Sequence, residues 1–198
     1  MSRYRGRDCS HHLVHRIAGI CLGYPDEEFV RALPELESAA HGNARLSAFL
    51  CHARRTPLME LAAHYTEVFD FKNRRCLYLT WWQDGDTRRR GASLVRFKQV
   101  YRSGGLEFTG TELPDFLPVV LDYCATTGDT ELLREHRAAL DLLSRSLTAA
   151  GTPYSGVVEA VCATLPQPTA RERAQVFARA RTGAPREEVG LGAYGGNR

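Results

Sequence analysis

Apolar side chains recur at helical spacing along nearly all of this chain, and the breaks between periodic stretches carry helix starts and stops rather than hairpin turns. A first helix is expected over 10–24, with Leu13, Ile17, Ile20 and Cys21 on one face and Pro25 as terminator. Asp26 is placed to cap a second stretch containing Phe29, Val30, Leu33 and Leu36, which Pro34 is expected to kink or split. A short helix with Leu46, Phe49 and Leu50 follows Gly42. Thr56-Pro57 then reads as a cap with proline in the first helical position, and Leu58, Leu61, Ala62, Tyr65, Val68 and Phe69 follow on a core-facing helix.

In the second half, 87–102 carries Leu94, Phe97 and Tyr101 at helical intervals and stops at Ser103-Gly104-Gly105. Asp115 is expected to cap a helix with Leu117, Val120, Leu121 and Cys124, ended by Gly128. Asp129 would start one long helix through Leu133, His136, Leu140, Leu143 and Leu147 to Gly151. Thr152-Pro153 opens a helix with Val157, Val158, Val161 and Leu165, stopped by Pro166. Thr169 and Glu172 form a capping-box pattern before a last helix with Val176 and Phe177. Only Leu77-Tyr78-Leu79-Thr80-Trp81-Trp82 is β-prone. Lacking a second strand to pair with, it is expected to be an extended or short helical connector. The expectation is an all-α, single-domain helical bundle over 10–182, with a flexible start at 1–9 and a glycine-rich disordered tail at 183–198.

At 198 residues the chain can bury one sizeable core but not two independent ones. Its 26 basic and 23 acidic residues leave a net charge of +3, far from the excess that nucleic acid binding calls for. The densest basic run, Arg88 to Arg90 with Arg74 and Arg75 upstream, has Asp84, Asp86, Glu67 and Asp70 near enough in sequence to make a salt-bridged face, with an anion site as the alternative. Six cysteines at irregular spacing, with no C-x-x-C pair, read as reduced thiols packed as small hydrophobes. No apolar stretch is long enough to span a bilayer and the first ten residues are too polar for a secretory signal, so a cytoplasmic protein is expected.

Enzyme signatures are missing: there is no Walker loop, dinucleotide fingerprint or nucleophile elbow. His11 and His15, four apart beside His12 and Cys9, come nearest to a ligand set, but no second cysteine or H-E-x-x-H glutamate completes it. His64 and His136 lie on helical patterns as interior or boundary residues. A small helical metal- or nucleotide-handling enzyme has only this histidine cluster and the arginine run in its favour.

One segment asks for more than a folding role. In Thr111-Glu112-Leu113-Pro114-Asp115-Phe116-Leu117-Pro118, two prolines bracket two acidic residues at a helix start. Asp115 as cap, Pro118 in the first turn, and Leu113 and Leu117 turned inward would suffice for folding. That account gives no reason for Glu112 and Phe116, which leaves a surface role open.

Tyr-Thr-Glu-Val-Phe-Asp at 65–70, Leu-Tyr-Leu-Thr at 77–80, Gly-Asp-Thr-Arg at 85–88 with Arg90-Gly91, and the 112–118 segment occur in this order. Together, over roughly 13–147, they resemble the nitrate reductase delta subunit family, the NarJ assembly chaperones, within a wider group that includes TorD and DmsD. That group shares a Glu-x-x-Asp motif, matched here by Glu112 and Asp115. Asp84 before Gly85, and Trp81-Trp82 after Thr80, depart mildly from the pattern.

The resemblance implies an all-helical protein of the NarJ/TorD/DmsD type that is not an enzyme and holds no cofactor of its own. Such a protein is expected to act as a monomer. It would bind the N-terminal segment of an apo catalytic (alpha) subunit and keep that subunit competent for molybdenum cofactor and iron-sulfur insertion, with the cofactor-insertion machinery as a further partner. Chaperones of dimethyl sulfoxide, trimethylamine oxide or selenate reductases are the alternative within the group. A basic amphipathic client would lay its apolar face against Tyr65, Phe69, Tyr78, Leu94, Tyr101, Leu113, Phe116 and Leu117, and pair with Glu112, Asp115 and Asp122. Aromatics at helical spacing are more often interior than groove. Asp86 and Arg88 suit a helix cap with an ion pair, or a latch over the groove.

Overall fold

The computed structural model describes residues 5–70, 75–85, 87–171, 174 and 178, with the backbone alone for 5–10. Among these residues the regular structure is all helical: α1 (Arg5–Cys21), α2 (Glu27–Ala39), α3 (Ala44–Arg55), α4 (Leu58–Phe69), α5 (Trp81–Asp84), α6 (Arg88–Ser103), α7 (Leu117–Thr127), α8 (Glu131–Glu135), α9 (Arg137–Ala149) and α10 (Tyr154–Thr164). The Val176 and Phe177 stretch and the 183–198 tail lie outside the described residues.

The packing centre is α1 lying along α7, with α10 closing against α1, α3 and α9. Ala18, Leu22, Val120, Leu121, Val157 and Val161 fill it and are fully buried. Each large aliphatic side chain withdrawn from water there contributes about 1.5–3 kcal/mol. Gly19 allows the close approach: a Cβ there would sit 3.3 Å from the Pro118 carbonyl oxygen. His15, on the same face of α1, is also buried, and its Nε2 meets Thr164 Oγ1 at 2.8 Å, tying α1 to the end of α10.

Most local signals act as expected. Asp26 accepts a hydrogen bond from Phe29 N at 2.8 Å, and Gly128 ends α7 with φ 79°. Several boundaries differ, each for a physical reason. The first helix runs from Arg5 to Cys21 rather than over 10–24, and its Leu13 and Ile20 face outward because the buried stripe is His15, Ile17, Ala18 and Leu22. Pro34 does not split α2, because Phe29, Leu33 and Leu36 pack the helix continuously against the core. Thr56 ends α3, its hydroxyl donating to the His52 carbonyl, and Pro57 flanks α4 instead of opening it from within.

The long helix expected from Asp129 bends at His136. Its backbone leaves the helical region (φ −100°, ψ 18°), while Nδ1 lies 2.9 Å from the Leu132 carbonyl and the ring packs on Phe97 at 5.1 Å. The β-prone connector forms one isolated antiparallel bridge, Tyr78 with Phe116, and then turns into α5.

Candidate functional site

The bridge brings together sequence blocks nearly forty residues apart. Leu79 N donates to the Asp115 carbonyl at 3.0 Å, and Leu117 N donates to the Leu77 carbonyl at 2.8 Å. Asp115 does not cap α7, because the helix begins at Leu117 and the carboxylate turns away from it. At 0% exposure, its Oδ2 accepts instead from Thr80 Oγ1 at 2.6 Å and Thr80 N at 3.2 Å. Arg90, from the first turn of α6, reaches the same oxygen at 3.8 Å, at the outer limit of an ion pair. Its guanidinium carbon lies 5.6 Å from the Tyr78 ring centre and 5.7 Å from that of Trp81, which places cationic charge against two π faces.

From this buried knot a chain of contacts leads outward. Tyr78 packs on Phe116 (5.3 Å between ring centres), and its hydroxyl donates to Glu112 Oε2 at 2.9 Å. Burial first, and the hydrogen bond to Glu112 second, push the Tyr78 phenol up to about 12. Tyr101 donates to the Pro114 carbonyl at 2.5 Å and pins the turn from beneath. Burial raises its phenol well above the ordinary tyrosine value. Asp115 Oδ1, Arg90 Nε and Trp82 Nε1 are buried without a hydrogen-bond partner among the described residues. Such groups carry a desolvation cost of about 1–3 kcal/mol each.

Beside this turn lies an open cavity of about 500 Å³ between α1, α7 and the 106–110 loop. Ile20, Leu106, Phe108, Pro118 and Val119 give it apolar walls, with Glu107, Arg16 and Asp122 among its polar lining. Arg16 pairs with Asp122 and reaches Thr126 Oγ1 at 3.0 Å. Asp122 is 62% exposed, so this is a solvated pair worth little to stability.

The thirteen residues singled out from the sequence are therefore not one surface. Glu112, Leu113 and Asp122 are exposed, Phe116 and Tyr78 are half-buried, and Leu94 is half-buried on α6. Leu113 does not turn inward, being 39% exposed where Leu117 is fully buried. Tyr65, Phe69, Tyr101 and Leu117 are core residues. Tyr65 packs on Phe69 at 4.8 Å and donates to the Leu22 carbonyl at 3.1 Å, which leaves its side chain little surface to present. Asp115 is wholly internal, Arg88 is exposed on α6, and Asp86 lies outside the described residues. Arg90, Thr80 and Trp81 are not among those thirteen, although two of the recognised blocks contain Thr80 and Arg90. Phe108 and Val119 gave no sequence signal and Ile20 read only as part of the core-facing stripe of the first helix, since the cavity joins segments remote from one another.

Among the described residues no group of three or more His, Cys, Asp or Glu is placed to hold a metal. Beside His15, His12 sets Nδ1 2.9 Å from the Ala125 carbonyl, and His64 sets Nε2 2.9 Å from Thr152 Oγ1. Burial pushes the Cys124 thiol up to about 12 and the Cys162 thiol to about 11, away from nucleophilic thiolate chemistry. Among the described residues no helix is long and apolar enough to cross a membrane.

Residues 25–159 match the sequence profile of the family described as nitrate reductase delta subunit. A nitrate reductase-like protein, NarX, of Mycobacterium tuberculosis is 37% identical over 77% of this chain and 24% of its own length. The nitrate reductase molybdenum cofactor assembly chaperone NarJ of Escherichia coli is 30% identical over 68% of this chain and 61% of its own. A Bacillus subtilis protein, named a probable chaperone of the same kind, is 34% identical over 52% of this chain and 60% of its own. The chain thus spans about a quarter of the first relative and about three-fifths of the other two. In fold it is similar to a crystal structure from Archaeoglobus fulgidus assigned to redox enzyme maturation, with a TM-score of 0.61, 18% identity, and coverage of 78% of this chain and 91% of that one.

Proposed function

Because this chain belongs to the nitrate reductase delta subunit family, we propose that it is an assembly chaperone of a respiratory nitrate reductase and catalyses no reaction itself. In this reading it binds the N-terminal segment of the apo catalytic subunit. It holds that subunit competent for insertion of the molybdenum cofactor and iron-sulfur clusters. The names of its NarJ relatives support the molybdenum cofactor part of this reading.

The observation that carries the binding mode is the open apolar cavity with the exposed carboxylate of Asp122 in its lining, and exposed Glu112 two residues along the chain from Gly110, which also lines it. A client helix with an apolar face and basic edges fits those two properties at once. The apolar face would leave water against Ile20, Phe108 and Val119, and the carboxylates would set register and speed encounter. Buried Asp115 is no part of that rim. The working contact set is therefore Glu112, Leu113, Phe116 and Asp122 with the cavity walls, Tyr101 among them, while Tyr78 and Leu94 are not part of the lining.

Calorimetric titration with a peptide copying the N-terminal 15–30 or so residues of the catalytic subunit from the same organism, against a scrambled control, tests this. Micromolar or tighter binding of the native peptide alone is expected. Equal binding of both peptides, or of neither, would contradict it. Selective binding of the corresponding dimethyl sulfoxide or trimethylamine oxide reductase peptide would assign a different client.

A further inference from the structure

We propose that the Glu-x-x-Asp pair divides its work: Glu112 alone meets the client, as the acceptor for one of its ammonium or guanidinium groups, and Tyr78, backed by Arg90 and Asp115, is the positioning residue that aims it. This rests on the chaperone reading above and deepens it, since it assigns separate tasks to two acids that the sequence presents as equivalent.

The geometry carries it. Glu112 sits on an exposed turn, where a lone glutamate side chain would sample many rotamers. The Tyr78 hydroxyl fixes one oxygen, Oε2, at 2.9 Å. Among the described residues Oε1 has no hydrogen-bond partner, which leaves it able to accept from an incoming cation. Tyr78 is itself held on two sides, by the Phe116 ring at 5.3 Å and by the Arg90 guanidinium at 5.6 Å. Arg90 is held against Trp81 and Asp115. Asp115 at full burial cannot touch a client without the turn opening, yet it grips Thr80, two residues after Tyr78, through two hydrogen bonds. The order of contacts, from Asp115 through Arg90 and Tyr78 to Glu112, links the buried acid to the exposed one. Pre-fixing the carboxylate lowers the ordering cost that binding would otherwise carry.

The test is a double-substitution cycle on the intact chain, read by titration with the native N-terminal peptide at about 0.05 M and about 1 M salt. Tyr78→Phe keeps the ring on Phe116 and Arg90 and removes only the hydroxyl, so its melting temperature should match the parent. At low salt we expect Y78F to weaken binding about 3–10-fold, the range one hydrogen bond supports, and E112Q to weaken it at least as much. The double variant should be no weaker than E112Q alone, and all differences should shrink below about twofold at high salt. Losses that multiply in the double variant, or a Y78F that binds like the parent while E112Q does not, would overturn the positioning role and leave the chaperone reading standing. A parent chain that fails to bind the native peptide would overturn both.

Discussion

The α1–α7–α10 interior and the 77–80/112–117 clamp are held by opposite means. The interior is apolar and redundant: Leu22, Leu121, Val157 and Val161 belong to one large buried apolar cluster, with the His15–Thr164 hydrogen bond at its edge. The clamp depends on individual polar contacts, namely two backbone hydrogen bonds, one buried carboxylate and one guanidinium between two rings, with polar atoms nearby left unsatisfied. The first arrangement maximises stability and is indifferent to small displacements. The second fixes positions at a local energetic cost, which is what the proposed positioning of Glu112 calls for.

Substitutions should separate the two. Leu121→Ala, in the interior, should cost about 2–5 kcal/mol in denaturant unfolding, yet leave peptide affinity unchanged at temperatures where the variant stays folded. Acid should act on the interior next. Burial lowers the His15 pKa to about 4, below the unfolded value of 6.5. The unfolded chain therefore takes up this proton first. Stability is complete above about pH 6.5 and declines as pH falls toward about 4, by on the order of 3 kcal/mol at most. His15→Gln should flatten that part of the pH profile. Unchanged slopes would remove His15 as the cause.

The clamp should respond differently. Asp115→Ala leaves Arg90 and Thr80 without their acceptor and should cost about 2–3 kcal/mol, while also weakening peptide binding, because the turn that carries Glu112 loosens. Glu112→Gln should change stability by less than about 0.5 kcal/mol, as surface substitutions do, and affect only binding. An Asp115 variant that lost stability without losing affinity would erase the distinction between the two regions.

What the sequence discloses follows the same division. The interior is written locally: apolar periodicity located most of the helices, and Asp26 and Gly128 acted where local rules place them. The clamp is written in pairs distant along the chain. Asp115, just ahead of a helix start, satisfies the local rule for a cap, and nothing nearby in sequence reveals that Thr80 will claim its carboxylate. Pro34 and His136 fail in the same way. A proline predicts a break until tertiary packing holds the helix, and leucine spacing predicts continuity until a buried imidazole bends it. The recognised sequence blocks hold both acids, but only the meeting of those blocks in space separates exposed Glu112 from internal Asp115.

The most direct measurement is amide hydrogen exchange of the intact chain with and without the native client peptide. The account predicts slowed exchange in the cavity walls at 106–110, in the adjoining 111–113, and in the facing turns of α1 and α7 around Ile20 and Val119, with α9 and α10 unchanged. Protection concentrated on α6, or spread evenly over the bundle, would contradict a client seated in the groove beside Glu112.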